Sequence, residues 1–192
     1  SGSRDGTVRL WDLSRPPSLL IRRDLPGVVS ALVFNADGSR LAVNVGGGFP
    51  TVVDPATAQT LVAFPTLPPA SDRAVFNRRG DQLTVLFQDG TIRSHEVPGG
   101  RELSRIDTHS TIARQLAMSP DESHLAWADE RIHLFDTGSR SETGTLSPQG
   151  ARISALAYSP DGRRLASGDE NGALAIWDLT SRRPMTSRDH RA

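Results

Sequence analysis

The chain has 192 residues, with 22 basic and 22 acidic residues, no cysteine and a formal net charge of zero. The balanced charge argues against a nucleic-acid-binding protein, which carries a basic face, and the lack of cysteine excludes disulfide bridges and thiol catalysis. The 17 glycines and 13 prolines, with only 36% apolar residues, are typical of many short strands rather than long helices. No run approaches the length of a membrane-spanning helix, so we expect none.

A repeat of about 40 residues runs through the chain and sets the order of its predicted elements. Spaced 42, 42 and 40 residues apart, an apolar residue precedes a turn four times, at Phe34, Phe76, Met118 and Tyr158. A leucine follows each turn at the same spacing, and the copies close on dipeptides such as Trp11-Asp12 and Trp177-Asp178. Because these markers keep one register, we interpret the whole chain as an array of related copies.

The clearest copies lie at the two ends of the chain. One reads RDGTVRLWDL at 4–13, and the other reads SPDGRRLASGDENGALAIWDL at 159–179. Pro160-Asp161-Gly162 and Asn171-Gly172 favour tight hairpin turns, because Gly, Asn and Asp tolerate positive φ. In chain order, the pattern predicts closing strands of the copies at 18–22, 60–64, 102–106 and 142–146. In the last copy it predicts strands near 152–158, 164–168, 173–177 and 183–187.

This pattern resembles the WD40 repeat family, and the resemblance covers essentially the whole chain. It implies an all-β fold, a WD40-type β-propeller arc of about four and a half four-stranded antiparallel blades in an incomplete ring. We expect a single WD40 repeat region over 1–192, which opens with a partial blade of third and fourth strands at 1–26. Whole blades are then expected at 27–66, 67–108, 109–148 and 149–190.

We also expect the chain to be a fragment of a larger WD40 protein, because its first residues match the middle of a repeat and an open arc exposes unpaired strand edges. A full ring would need further blades or a second chain, and a self-contained small ring is the alternative. All 22 basic residues are arginine, which hints at a high-GC bacterial source. Bacterial arrays of this family often follow a kinase or NTPase domain, so the resemblance implies a regulatory role within a longer chain.

In the family, a buried tetrad of His, Ser or Thr, Asp and Trp fixes each blade. Carried over by position, the resemblance assigns structural, tetrad-like roles to Asp5, Trp11, Asp89, His109, Asp129, Ser167 and Trp177. In the fourth copy it pairs His109 with Asp129, and in the first copy it places Ser3 with Trp11. A buried His–Asp pair is also half of a catalytic triad. Because no Gly-x-Ser-x-Gly motif accompanies it, we favour the structural role.

The sequence predicts no catalytic residue, no metal site and no cofactor. His124 and His133 flank Asp129 and Glu130, but their spacing matches no metal-binding motif. The run 46–48 is Gly-Gly-Gly, yet it lacks the Gly-Lys-Ser/Thr of a phosphate-binding loop. We interpret the arginine pairs, such as Arg163-Arg164, as a solvated rim.

Proteins of this family usually bind peptides or protein surfaces on the face that holds the fourth-to-first links and the second turns. The matching positions predict a partner-binding surface at Arg4, Gln88, Glu170, Asp72, Arg114, Arg152 and Ser154, with Ser30, Ile112 and Ala128 beside them. Arg4, Arg114 and Arg152 favour an acidic or polar partner, because a guanidinium binds carboxylates bidentately. Ordinary rim residues are the alternative interpretation.

The sequence therefore predicts a non-catalytic protein–protein interaction scaffold or sensor module of WD40 type, part of a larger signalling or regulatory chain. The alternatives are a propeller enzyme with its site at the channel mouth and a truncated piece with no independent function. The expected partner is a protein or peptide rather than nucleic acid or a membrane, and the expected location is the cytoplasm.

Overall fold

The computed structural model describes residues 1, 3–5, 7–12, 18–24, 27–45, 50–64, 70–148 and 150–189. Side chains are described for these residues except 12, 18–24, 70–72 and 186–189. Over this part of the chain the regular structure is all β, without a helix. A search of the same residues finds no helix suited to crossing a membrane.

Five antiparallel sheets follow one another along the chain. The first sheet has two strands, β1 (Thr7–Asp12) and β2 (Ser18–Asp24). The second sheet has β3 (Val29–Phe34), β4 (Leu41–Val45), β5 (Thr51–Val53) and β6 (Thr60–Ala63). The third sheet has β7 (Ala70–Phe76), β8 (Gln82–Phe87), β9 (Thr91–Glu96) and β10 (Glu102–Asp107).

The last two sheets repeat this plan. The fourth sheet has β11 (Gln115–Met118), β12 (His124–Ala128), β13 (Ile132–Asp136) and β14 (Ser141–Leu146). The fifth sheet has β15 (Ile153–Tyr158), β16 (Arg164–Asp169), β17 (Ala173–Asp178) and β18 (Arg183–Asp189). In each four-stranded sheet the strands lie side by side in sequence order, which is the blade of a β-propeller. The fold class expected from the sequence is confirmed, and the repeat boundaries stay a prediction.

The hairpins that join second to third strands depend on glycine in two sheets. Gly90 has φ +80° and donates its N–H to Phe87 O at 3.1 Å, and Gly172 has φ +83° and donates to Asp169 O at 3.2 Å. Other residues rarely adopt this left-handed conformation. The Asn171-Gly172 dipeptide therefore places a turn that the sequence predicts, and Asp89-Gly90 forms the equivalent turn of the third sheet.

The second strands of the second, third and fourth sheets lie in the core. In β8, Leu83, Thr84, Val85 and Leu86 are all 0% exposed. Alternate residues of a strand point to opposite faces, so such a strand is covered on both sides. This double burial explains why β8 reads as a nearly continuous apolar run instead of alternating with polar residues.

The chain divides into two compact units, Ser1–Thr111 and Ile112–Ala192. In the first unit, Ala42 and Val52 of the second sheet share an apolar cluster with Leu83 and Val85 of the third. In the second unit, side chains of the fourth and fifth sheets share another cluster, formed by Ala126, Ile132, Leu146, Ile153, Leu165 and Trp177. Within each unit, burial of apolar surface between successive sheets is the main stabilising contribution.

Candidate functional site

The turn after β8 carries a partly buried charge network. The Asp89 carboxylate accepts hydrogen bonds from the Thr91 N–H at 3.0 Å, the Thr91 hydroxyl at 2.6 Å and Arg93 Nη2 at 2.7 Å. Partial burial alone would raise the pKa of Asp89, but these hydrogen bonds outweigh it and hold the pKa below its usual value. The network ties the hairpin turn to the following strand.

Arg93 lies at the centre of this network and is 8% exposed. Its Nε donates to Thr91 Oγ1 at 2.9 Å, and its Nη1 lies 3.7 Å from Glu102 Oε2 on β10. The guanidinium carbon lies 5.2 Å from the centroid of the Phe87 ring, a cation–π contact. A cation between two carboxylates and an aromatic ring therefore occupies the middle of the third strand of this sheet.

The first sheet repeats the Asp–Thr–Arg part of the network near the surface. Asp5 Oδ1 accepts from the Thr7 N–H at 2.9 Å and from the Thr7 hydroxyl at 2.7 Å. Arg9 Nη2 lies 3.2 Å from Asp5 Oδ2. The hydrogen bond from the Thr7 hydroxyl is the main cause that lowers the pKa of Asp5 to about 2. The Asp-Gly-Thr-x-Arg sequence, shared by 5–9 and 89–93, thus gives the same local hydrogen bonds in both sheets, with the arginine more exposed in the first sheet than in the third.

In the fourth sheet a histidine takes the place of Arg93. His133 Nε2 lies 3.2 Å from Asp129 Oδ1, and its Nδ1 lies 3.2 Å from Glu142 Oε2 on β14. The imidazole stacks on the Trp127 ring with a centroid distance of 5.3 Å and an interplanar angle of 3°. The predicted turn residue Asp129 therefore has a histidine partner, but that histidine is His133.

The prediction of His109 as a buried tetrad histidine is wrong. The His109 side chain is 87% exposed, and its Nδ1 lies 3.5 Å from Asp107 Oδ1. The residue has φ +53°, and its N–H donates to Asp107 Oδ1 at 2.8 Å. An aspartate two residues earlier thus holds His109 in a surface turn.

The fifth sheet joins two residues that the sequence singles out. The Trp177 indole N–H donates to Ser167 Oγ at 2.9 Å, and the two residues are 5% and 3% exposed. In the first copy, Trp11 Nε1 lies 3.2 Å from Ser1 Oγ, and Trp11 is 45% exposed. Ser1, rather than the expected Ser3, is the equivalent of Ser167.

His95 occupies the tryptophan position of the third sheet and is 2% exposed. Its ring centroid lies 4.9 Å from that of Phe64 and 6.4 Å from that of Phe87. Its Nδ1 lies 3.4 Å from Gly100 O, and its Nε2 has no hydrogen-bond partner among the described residues. Burial is the main cause that lowers the pKa of His95, since the protonated form loses water without gaining a close anion.

A mixed-charge cavity lies where the sequence predicts part of the partner-binding surface. It has a volume of about 470 Å³ and is lined by Ile112, Asp129, Glu130, Gly150, Ala151 and Arg152. The Glu170 N–H donates to Arg152 O at 3.0 Å, which holds the turn after β16 beside the start of β15. The mixed-charge cavity therefore collects one predicted arginine together with two carboxylates.

The other predicted binding residues have individual surroundings. Arg114 donates from Nη1 to Ala113 O at 3.0 Å, and the exposed Ser154 donates from Oγ to Gly168 O at 3.3 Å. Arg4 and Gln88 are exposed, as the sequence led us to expect of binding residues, but both belong to the unit Ser1–Thr111. Asp72 lies in β7, and its side chain is outside the described part, as are residues 46–48.

Three polar groups, in the turn before β12 and on β12 and β13, resemble the order of a catalytic triad. Ser123 Oγ lies 2.6 Å from His124 Nδ1, and His124 Nε2 lies 3.7 Å from Asp136 Oδ2. The His124 and Asp136 side chains are 46% and 31% exposed. Asp136 also accepts the Ser139 N–H at 2.6 Å, the main cause that lowers its pKa. Because this group lies open to solvent, it lacks the water-excluding site that such chemistry uses.

Metal ligation receives no support from the histidines near the fourth sheet. Over the residues with described side chains, no group of three or more His, Cys, Asp or Glu side chains is arranged to hold a metal ion. His133 instead lies between the Asp129 and Glu142 carboxylates, with one ring nitrogen 3.2 Å from each.

The successive four-stranded sheets define a β-propeller repeat protein, and comparison with known proteins identifies the type of repeat. The family described as WD domain, G-beta repeat matches residues 1–12 and 140–178. These are the copies with the Trp11-Asp12 and Trp177-Asp178 dipeptides. By this match and by the relatives below, the chain is similar to the WD40 repeat family.

Three relatives illustrate the similarity. The 66 kDa stress protein of Physarum polycephalum is 27% identical over 95% of this chain. The Periodic tryptophan protein 2 homolog of Dictyostelium discoideum is 32% identical over 55% of the chain. The Target of rapamycin complex subunit LST8-1 of Arabidopsis thaliana is 32% identical over 50% of the chain. The matched stretches span 30%, 12% and 33% of those proteins. These organisms are eukaryotes, so the predicted bacterial source gains no support from them.

Proposed function

We propose that the chain is a non-catalytic protein-interaction module whose binding surface includes the mixed-charge cavity. The single observation that carries this is that Ile112, Glu130 and Arg152 line one cavity. They come from the link before β11, the turn after β12 and the link before β15. These are the fourth-to-first links and second turns at which the family binds partners. One relative is by its name a subunit of a complex, which agrees with this role.

The charges of the cavity favour a polar partner that carries both signs. Arg152 offers a guanidinium for a carboxylate, and the exposed Glu130 offers a carboxylate for a cation. Ile112 is 43% exposed and supplies an apolar contact between them. Such a mixture tunes partner choice and the association rate more than affinity.

Affinity capture from a lysate of the source organism tests this function. The wild-type chain and the variants Arg152→Glu and Glu130→Arg serve as baits, with Arg163→Glu as the matched control. Arg163 is also exposed but lies at the turn before β16. We expect a specific set of captured proteins to be lost with both cavity variants and retained with the control. Equal recovery with all four baits would refute the proposed surface.

The location and the kind of partner follow from the sequence and are proposals as well. We propose that the chain acts in the cytoplasm and that it binds proteins or peptides rather than nucleic acid or membranes. Fluorescence microscopy of the tagged chain tests the location. Cosedimentation with anionic vesicles and gel-shift assays with duplex DNA test the excluded partners, and binding in either assay would overturn that part.

A further inference from the structure

The third strand of each of the last three sheets has one equivalent position, which we call the cation position. In the third sheet this position is Arg93, which pairs with Val85 on the second strand. In the fourth sheet it is His133, which pairs with Trp127, and in the fifth sheet it is Ala175, which pairs with Ser167. Two residues later the third strand pairs with Glu102, Glu142 or Pro184 on the fourth strand. The third sheet thus places an arginine, and the fourth sheet a histidine, near an outer glutamate. The fifth sheet has alanine and proline at the two positions.

The fifth sheet nevertheless keeps the carboxylate that faces His133 in the fourth sheet. Asp129 follows the last β12–β13 pair, Ala128 with Ile132, and Asp169 follows the last β16–β17 pair, Gly168 with Leu174. Each aspartate also accepts, through Oδ1 and at 2.9 Å, the N–H two residues later. Register and hydrogen bonding therefore make Asp169 the equivalent of Asp129.

A cavity opens at the cation position of the fifth sheet. It has a volume of about 440 Å³, and its lining includes Ile153, Asp169, Ala173, Ala175, Trp177 and Pro184. This volume lies in the range of ligand sites and exceeds what a single long side chain needs. The apolar walls suit the methylene stem of an amphipathic side chain.

Asp169 is set up to meet a cation in this cavity. Oδ1 accepts from Ala173 N at 2.8 Å and Oδ2 from Ala151 N at 3.2 Å. The hydrogen bond from Ala173 is the main cause that lowers the pKa of Asp169. The Asp169 side chain also lines the cavity, so a guanidinium placed there would meet its negative charge. The described residues include no Arg or His in an ion pair with Asp169.

We propose that this cavity binds an arginine side chain supplied by a protein partner, with its guanidinium on Asp169 and its stem against Trp177, Ala175 and Pro184. The chain itself shows what fits, because Arg93 fills the equivalent position of the third sheet. Arginine is favoured over lysine since its planar group donates to carboxylates and packs on aromatic rings. The proposal rests on the proposed function only in that the occupant belongs to a protein.

The test uses N-acetyl-arginine amide as probe, followed by the Trp177 indole N–H resonance in two-dimensional NMR. N-acetyl-citrulline amide is the matched probe, because it keeps the shape and loses the charge. We expect a saturable shift with the arginine probe at millimolar concentration and about tenfold weaker binding of the citrulline probe. Equal binding of both probes, or no shift of this resonance with either, would overturn the proposal.

Two variants and one control assign the site. Asp169→Asn keeps an acceptor for the turn N–H groups and removes the charge, and Ala175→Arg fills the cavity with the residue found in the third sheet. Both are expected to weaken probe binding at least about tenfold, whereas Ala157→Arg on the exposed part of β15 leaves it unchanged. If Asp169→Asn fails to fold, Ala175→Arg and the citrulline probe still decide. Retained binding in Ala175→Arg would refute the site.

Probe binding by the chain with Arg152→Glu separates this inference from the proposed function. We expect that variant to bind the arginine probe normally, because Arg152 lines the mixed-charge cavity and not this one. Loss of captured partners with normal probe binding would leave the arginine site standing. Normal capture without probe binding would leave the module standing and remove the arginine site.

Discussion

The third sheet, Ala70–Asp107, and the fifth sheet, Ile153–Asp189, pair their second and third strands in the same register but fill the space between those strands differently. The third sheet places Arg93 and His95 on the strand, with Asp89 and Glu102 around the guanidinium. The fifth sheet places Trp177 against Ser167 and leaves a cavity beside Ala175. The repeat therefore fixes the backbone of each sheet. Single side chains decide whether the space beside the third strand is filled by the chain itself or is left for another molecule.

The comparison is tested most strongly by removing the tryptophan of the fifth sheet. Trp177→Ala is expected to lower the free energy of unfolding by about 3–5 kcal/mol, because a buried aromatic side chain is lost from the core. Urea denaturation measures the loss. Trp11→Ala is the matched control and should cost about 1 kcal/mol or less, since Trp11 is 45% exposed. Equal losses of stability in the two variants would show that the two tryptophans do not differ in burial as the structure describes.

A second effect concerns the cation of the third sheet. Arg93→Ala should cost about 2–3 kcal/mol, because the partly buried Asp89 loses a charge-assisted hydrogen bond of 2.7 Å. Arg9→Ala removes the same sequence element from the first sheet, where the Arg9 and Asp5 side chains are 35% and 51% exposed. Its cost should be about 0–1 kcal/mol. Similar losses of unfolding free energy for Arg93→Ala and Arg9→Ala would contradict the idea that burial, rather than the shared sequence, determines how much the network stabilises the chain.

A smaller effect is expected at the hydroxyl that receives the Trp177 indole. Ser167→Ala leaves the buried Nε1–H without its acceptor and should cost about 1–2 kcal/mol. Ser154→Ala removes an exposed hydroxyl of the same sheet and should change the stability by about 0.5 kcal/mol or less. The difference between the two serines, measured by thermal and urea unfolding, checks the contact. A Ser167→Ala variant as stable as the wild type would refute it.

The smallest effect is a dependence of stability on pH that comes from His95. Burial lowers the pKa of His95 in the folded chain, while Glu102 opposes and Arg93 reinforces the shift. The unfolded chain therefore binds the proton more readily, so the His95 contribution is complete above the unfolded pKa of about 6.5 and is lost as the pH falls below it. His95→Phe should flatten the slope of stability against pH between neutral and weakly acid conditions.

Replacement of the exposed His109 by glutamine is the control for this prediction. The His109 side chain is 87% exposed, so His109→Gln should leave the same slope unchanged. Both variants keep His124 and His133. A slope that persists in His95→Phe would assign the acid sensitivity to another group.

The frame of the fold could be predicted from the sequence because its signals are local. The Asn171-Gly172 turn and the Trp177-Asp178 ending follow from short stretches, and the observed strand β17 (Ala173–Asp178) agrees with the predicted strand at 173–177 within one residue. The His109 role came from matching a family position and is wrong, because a nearby Asp107 holds that residue at the surface.

The equivalence of the site residues depends on how the strands pair, and the sequence shows this register less clearly than it shows the turns. The Asp-Gly-Thr-x-Arg pattern is visible at 5–9 and 89–93, but the fourth copy has a hairpin two residues shorter, since Leu125 pairs with Phe135 where Leu83 pairs with His95. His133 could therefore be matched with Arg93 only after the strands were paired. The cavity of the fifth sheet exists because the side chain of Ala175 is small. A single small residue forms no sequence motif, so the cavity could not be predicted from the sequence.

In the fifth sheet, Ala175 takes the position of Arg93 in the third sheet and of His133 in the fourth, and Asp169 takes the position of Asp129 in the fourth. A double-mutant cycle with Ala175→Arg, Asp169→Asn and both together, measured by urea denaturation, tests this most directly. We expect Ala175→Arg to be favoured only when Asp169 is present, with a coupling free energy of about 1 kcal/mol or more. Additive effects within about 0.3 kcal/mol would contradict the equivalence.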